Sequence, residues 1–159
     1  MSKHDIPMTP AVRFLKDKGI TFNYFDYPYE EKGGTAQTAR ELKVDEHLII
    51  KTLVLEADGN VFLMLMHGDR EVSLKELARI LAVKSVVPCD SKKAMNATGY
   101  LFGGTSPFGT KKKLDLCIEE SIINLESIYI NGGKRGFIIE INPICLLDFF
   151  DIKLVNVGI

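Results

Sequence analysis

No stretch of this chain is apolar for long enough to cross a bilayer. The longest runs, such as Val61 to Met66, fall far short of the ~20 residues a membrane helix needs. The opening MSKHDIPMTP has no apolar segment of the kind a secretory leader carries, so the expected location is the cytoplasm. Charge of one sign is also missing. Lysine and arginine number 20 against 21 aspartates and glutamates, a net charge of −1. That argues against bulk electrostatic binding to nucleic acid but leaves room for a local basic patch. Cysteine is scarce. Cys89, Cys117 and Cys145 are an odd number with no C-x-x-C pair, so they form neither a disulfide framework nor a zinc site. Each lies in or beside an apolar segment and reads as a buried reduced thiol. His4, His47 and His67 have no metal-ligand spacing and no obvious partner, and read as surface or core residues. Neither metal nor cofactor is expected. Nothing resembling a linker or a low-complexity tract interrupts the 159 residues, which suit one domain spanning 1–159. Hydrophobic residues at 46% and charged residues at 26% are ordinary for a soluble globular protein.

The local signals alternate irregularly between strand and helix. Thr9 caps, Pro10 opens and Gly19 stops a helix over Ala11 to Lys18. Thr21 to Tyr27 is aromatic-rich and predicts a strand, followed by a polar loop to Gly34 and a short helix from Thr35 to Leu42. Ile49 to Ala57, the turn Asp58-Gly59-Asn60 and Val61 to His67 predict a hairpin. Ser73 and Glu76 occupy the reciprocal positions of a capping box that opens a helix to Leu81. A short strand, Lys84 to Pro88, and a helix, Ser91 to Thr98, follow. Strands are predicted over Leu114–Ile118, Ser127–Ile130, Phe137–Ile141 and Ile152–Val157. A Gly-Gly-Lys-Arg-Gly turn fills 132–136, and Asn142-Pro143 caps a last helix to about Phe149. This order predicts an α+β fold: a mixed, mostly antiparallel sheet curled toward a barrel, with peripheral helices.

Three features could carry chemistry. The first is the glycine-rich loop Gly99 to Gly109. Glycines let backbone N–H groups approach a ligand closely. Gly104 to Lys111 fails as a phosphate-binding P-loop, because it ends Gly-Thr-Lys and follows a helix rather than a strand. Ser106 fails as a nucleophile elbow, because Phe108 stands where Gly is needed and Pro107 lacks the N–H of an oxyanion hole. Spacing alone leaves ligand cradle and structural turn equally open. The second is Lys51, which shares its strand face with Ile49, Leu53 and Leu55 and must snorkel, pair or face a polar cavity. The third is basic: Lys111, Lys112 and Lys113 beside the glycine loop, with Lys134 and Arg135 in the late turn. They form either a solvated face or two loops flanking a phosphate backbone.

Together these segments resemble the family of YbaK and the editing domains inserted in prolyl-tRNA synthetases, over about Thr9 to Leu147. Ile50-Lys51-Thr52-Leu53 is similar to the family's lysine-bearing strand. Gly99-Tyr100 through Gly109 is similar to its Gly-x-x-x-Pro loop. Gly132 to Gly136 followed by Ile139-Glu140 is similar to its late hairpin. The resemblance implies hydrolysis of aminoacyl-tRNA in trans, in the YbaK branch against cysteinyl-tRNA for proline. It implies that Lys51 holds the ester end of the substrate and that the Gly103 backbone lies beside the reacting carbonyl. Tyr27, Thr52, Asn131 and the loop residues Gly104, Thr105, Ser106 and Pro107 would bind substrate. Gly34 and Asn131 depart from the family's aromatic and serine at those positions. The implied chemistry is substrate-assisted: the cysteine thiol attacks its own ester and leaves as a thiolactone. The implied partners are aminoacyl-tRNA, with tRNA for proline foremost, and a prolyl-tRNA synthetase. Two other readings stay open: a deacylase for alanyl- or seryl-tRNA, and a non-catalytic module presenting tRNA to a synthetase.

Overall fold

The computed structural model describes residues 6–159. Its helices are α1 (Pro10–Asp17), α2 (Gly34–Leu42), α3 (Leu74–Leu81), α4 (Ser91–Thr98), α5 (Glu120–Ile123) and α6 (Leu146–Phe149). Its strands are β1 (Asn23–Asp26), β2 (Ile49–Ala57), β3 (Asn60–His67), β4 (Val86–Pro88), β5 (Leu116–Glu119), β6 (Ile128–Lys134), β7 (Phe137–Ile141) and β8 (Ile152–Val155). Short 3-10 turns cover Glu46–Leu48 and Pro143–Cys145. The eight strands form one mixed sheet in the order β1-β7-β6-β2-β3-β5-β8, with β4 also pairing β2. β2 with β6, β3 with β5 and β5 with β8 run parallel. The sheet stays open, with β1 and β8 at its edges, so the curl toward a barrel does not close.

The apolar run from Val61 to Met66 is explained by the central position of β3. Its alternate residues face two cores, as the two-residue period of a strand dictates. Leu63 and Leu65 pack with Ile50, Ile130, Phe108 and the α1 residues Ala11, Val12 and Leu15. Met64 and Met66 pack with Leu55, Cys117 and the α3 residues Leu77 and Ala78. The β2–β3 turn is tighter than expected. Asp58 and Gly59 both take positive φ and Asn60 already pairs with Ala57, so the turn has the two residues favoured by strand twist.

The starts of α1, α3 and α4 follow their caps, with one correction. Thr9 Oγ1 accepts from Val12 N at 3.1 Å, and Asp90 Oδ1 from Lys93 N at 2.9 Å. Ser73 Oγ accepts from Glu76 N at 3.2 Å, but the reciprocal half of the capping box is absent. The Ser73 N–H goes instead to Val157 O at 2.8 Å, and Glu76 pairs with Arg79. Among the described residues, no helix is long and apolar enough to cross a membrane.

Candidate functional site

The glycine loop has two halves with opposite roles. Its second half plugs into the core. Phe108 is fully buried against Phe14, and the Tyr100 hydroxyl donates to Phe108 O at 2.5 Å. Thr105 is buried, and Ser106 is inaccessible, its Oγ accepting from Phe108 N at 3.2 Å. That hydroxyl is a turn-former with no path to a substrate. The first half protrudes. Gly104 N donates to Leu101 O at 3.0 Å and Gly103 sits at φ +92°, the pattern of a type II turn. Both halves are turns, the first exposed and the second sealed in the core.

The protruding half rests on the hairpin between β6 and β7, where the sequence expectation needs correcting. The five-residue glycine turn is instead a two-residue bulge and a two-residue turn. Asn131 pairs with Ile138 and Lys134 with Phe137, so Gly132 and Gly133 are an unpaired insertion in β6. Only Arg135 and Gly136 turn. The insertion must be glycine because a Cβ at Gly132 would lie 2.5 Å from the Phe137 ring, and one at Gly133, φ +97°, 2.7 Å from the Tyr100 ring. Gly104 lies flat on the turn: a Cβ there would be 2.9 Å from Arg135 N and from Lys134 C. Arg135 Nε donates to Phe102 O at 2.7 Å while its guanidinium lies 5.2 Å over the Tyr29 ring. Tyr27 N donates to Gly136 O at 2.9 Å. Tyr27, Pro28, Lys134 and Arg135 line a cavity of about 370 Å³ with Pro7 and Asp26.

Lys51 belongs to a neighbouring region. Its side chain is 21% exposed, and Nζ lies 3.7 Å from Glu71 Oε1, an exposed carboxylate. β6 leaves β2 after Ile50, and β4 joins only at Leu55, preceded by a Cys89 N–Val54 O bond. From Lys51 to Leu53 that edge of β2 therefore has no strand beside it. On this stretch of β2 the Thr52 hydroxyl is buried with no hydrogen-bond partner among the described residues. A buried hydroxyl without a partner is costly. Helix α2, which packs beside β2, links the end of β3 to Tyr27. Thr35 Oγ1 donates to Glu46 Oε2 at 2.7 Å and touches Gly68 O at the end of β3. One helical turn on, Thr38 Oγ1 is 2.6 Å from the Tyr27 hydroxyl. Burial raises the Tyr27 pKa, so that hydroxyl stays protonated.

Direct contacts thus unite Tyr27, Gly103, Gly104, Lys134 and Arg135, whereas Lys51 and Thr52 sit apart from them on β2, the strand that α2 packs beside. Pro107 is buried with the plug, and Asn131 is half-buried at the bulge. Lys111, Lys112 and Lys113 are exposed, with no ion-pair partner among the described residues. The amides of Lys111 and Lys112 close the end of α4 on Thr98 O and Ala97 O. Tyr29 and Phe102 were invisible to sequence reasoning, because only the turn geometry sets them beside Arg135.

The histidines need a further correction. His4 lies outside the described residues. His47 and His67 are not partnerless: their rings stack at 3.7 Å, His47 Nδ1 meets Asp69 Oδ1 at 2.9 Å, and His67 bridges His47 O and Ser121 Oγ. Burial, the largest influence, lowers the His67 pKa. All three cysteines are free. Burial pushes Cys117 and Cys145 up to about 11, and burial with Glu56 and Asp90 raises Cys89. Among the described residues no group of three His, Cys, Asp or Glu side chains could hold a metal ion.

Comparison with known proteins bears on this arrangement. Residues 30–149 match the family model described as the aminoacyl-tRNA editing domain. The chain is 30% identical over 142 residues to EbsC of Enterococcus faecalis, named as a Cys-tRNA(Pro)/Cys-tRNA(Cys) deacylase; the match covers 87% of this chain and 86% of that one. It is also 30% identical over 137 residues to the proline–tRNA ligase of Thermodesulfovibrio yellowstonii, 85% of this chain but 22% of the ligase. A solved structure described as a trans-editing enzyme for prolyl tRNA synthetase superimposes with a TM-score of 0.83 at 18% identity, over 96% of this chain and 99% of that one. At that identity the likeness is one of fold.

Proposed function

The chain belongs to the aminoacyl-tRNA editing domain family, and from that premise we propose that it acts in trans to clear cysteine from mischarged Cys-tRNA(Pro). The observation that carries the reading is the chemical poverty of the site. The Ser106 hydroxyl is sealed in the core, and the three thiols are held protonated at neutral pH. What the site offers is positioning: an ammonium at Lys51, an orphan hydroxyl at Thr52, and the Gly103–Gly104 backbone on a rigid turn.

Positioning suffices if the substrate brings its nucleophile. Aminoacyl esters are already activated, and a well-oriented intramolecular attack gains a large effective concentration. The cysteine sulfur bonds to the ester carbonyl carbon, and the bond from that carbon to the ribose oxygen breaks. The thiol proton ends on the ribose oxygen, and a thiolactone leaves to be hydrolysed in water. Lys51 holds the ester end, and Gly103 keeps polar backbone beside the carbonyl. Tyr27, Thr52, Gly104 and Asn131 shape the pocket, while Thr105, Ser106 and Pro107 set the loop from behind. The cytoplasm, where charged tRNA is found, is the location this activity requires.

A panel of cysteinyl-, alanyl-, seryl- and prolyl-tRNA tests the reading. Cysteine release should be fast, and seryl-tRNA, which exchanges thiol for hydroxyl, far slower. The half-buried amide of Asn131, in place of the family's serine, favours a second reading as an alanyl or seryl deacylase. Fast release of either amino acid would establish it and replace the substrate thiol with water. Binding of every charged tRNA without release of any amino acid would leave a presenting module.

A further inference from the structure

We propose that Phe102 is a stacking platform for an unpaired nucleobase at the 3′ end of tRNA. The inference rests on the deacylase reading above and adds a recognition site to it. Its first support is position. Phe102 is 82% exposed, far more than any other aromatic side chain described. It occupies the second position of the type II turn Leu101–Gly104, which directs its side chain away from the loop. No other ring or cation packs on its face among the described residues, whereas Phe14, Phe25, Phe108, Phe137 and Tyr129 all have ring partners.

The second support is rigidity. A single exposed apolar side chain is ordinary, but this one is held in place. Its carbonyl is clamped by Arg135 Nε at 2.7 Å, the next residue but one lies on the Lys134–Arg135 backbone, and the rest of the loop is anchored in the core by Phe108. A platform whose geometry is fixed before binding loses little entropy when a base lands on it.

The third support is charge. Arg135 uses Nε on the loop and forms no ion pair among the described residues, so its terminal nitrogens remain for a phosphate beside the ring. Lys134 adjoins it, and Lys111, Lys112 and Lys113 follow the same loop. An aromatic face flanked by unpaired cations is the arrangement that binds single-stranded nucleic acid, the base stacking while the cations track the backbone. The 3′ end of tRNA is single-stranded and carries the ester. A ring one residue from Gly103 would hold the terminal nucleotides where the ester meets that backbone.

The test compares wild type, Phe102→Ala and Phe102→Trp, whose side chains reach into solvent and leave the core untouched. Affinity for uncharged proline tRNA should fall about 5- to 150-fold in F102A, with the slope of log affinity against log salt unchanged because no phosphate contact is lost. On a tRNA trimmed of its unpaired 3′ nucleotides, wild type and F102A should bind equally. The chain has no tryptophan, so F102W supplies a sole indole whose emission should quench when a short RNA ending in CCA is added. An F102A affinity within twofold of wild type, an unquenched indole in an F102W variant that still binds, or a defect that persists on trimmed tRNA would each overturn the platform while leaving the deacylase reading intact. A wild-type protein that neither binds tRNA nor releases cysteine would overturn that reading, and the platform with it.

Discussion

Lys51 and Thr52 are adjacent in sequence, yet only Lys51 stands out from the residue pattern itself, Thr52 entering through the family resemblance alone. A lysine among Ile49, Leu53 and Leu55 is conspicuous in any strand, whereas a threonine there is unremarkable. Thr52 becomes informative because its hydroxyl is buried with no hydrogen-bond partner among the described residues. Lys51→Ala should cut deacylation by about 100-fold or more, as loss of a positioned polar group at a reacting ester does. Its Glu71 contact is long and its partner exposed, so stability should change by less than about 1 kcal/mol. Wild-type turnover in a folded K51A would make the lysine a snorkelling residue. The thiols make the opposite expectation. A triple Cys→Ala variant should keep its rate on cysteinyl-tRNA, though emptying the Cys117 site lowers stability; a folded, inactive variant would point to a protein thiol. The histidine pair bears on pH. The His67 pKa is lowered by burial, so the unfolded chain binds the extra proton first as pH falls below the ordinary 6.5. Stability should therefore be complete above 6.5 and decline as pH drops through the lower folded value. Asp69, also lowered, acts only below its ordinary 3.8. Urea midpoints at pH 7.5 and 5.5 should differ more for wild type than for His67→Gln, and equal differences would deny His67 this role.

At the scale of elements, α1, α3, α4 and the β2–β3 hairpin were legible because caps, glycine stops and an Asp-Gly pair are local signals. The β6–β7 hairpin was only half legible. Gly-Gly-Lys-Arg-Gly looks like one loose turn until Tyr100 and Phe137 are seen packing against its first two glycines. The short helix α5 escaped notice, since four residues give no period to detect. The join between loop and turn makes its own prediction. A methyl group at Gly104 meets backbone atoms at 2.9 Å, which cannot move aside as a flexible side chain would. Gly104→Ala should cost about 1–3 kcal/mol, as overpacking does. It should also lower deacylation by displacing Gly103. Thermal unfolding and turnover measured together would check this, and an unaffected rate would separate the loop from the chemistry.

Over the whole molecule, a net charge of −1 conceals an uneven surface, with five cations along one loop and one turn that have no ion-pair partner among the described residues. Neutralising any that meets a tRNA phosphate, among Lys111, Lys112, Lys113, Lys134 and Arg135, should flatten the dependence of log affinity on log salt by about 0.7–0.9. An unchanged slope for all five would return them to solvent. Composition could exclude bulk attraction but could not show that both basic segments border the same glycine loop. The sheet topology has one more consequence, in time rather than space. The two hairpins are local, and hairpins close within about 1–10 μs. The edge strand that delivers Tyr27 pairs β7 across 117 positions, as the Asn23–Glu140 contact records. Closing so long a loop is entropically expensive, and chains dominated by such pairings fold in milliseconds to seconds. Lys51 and the Arg135 turn should therefore form on separate, early ribbons before β1 brings Tyr27 to the cavity. A newly made chain should thus pass through an interval in which both ribbons are formed and Tyr27 has yet to join them.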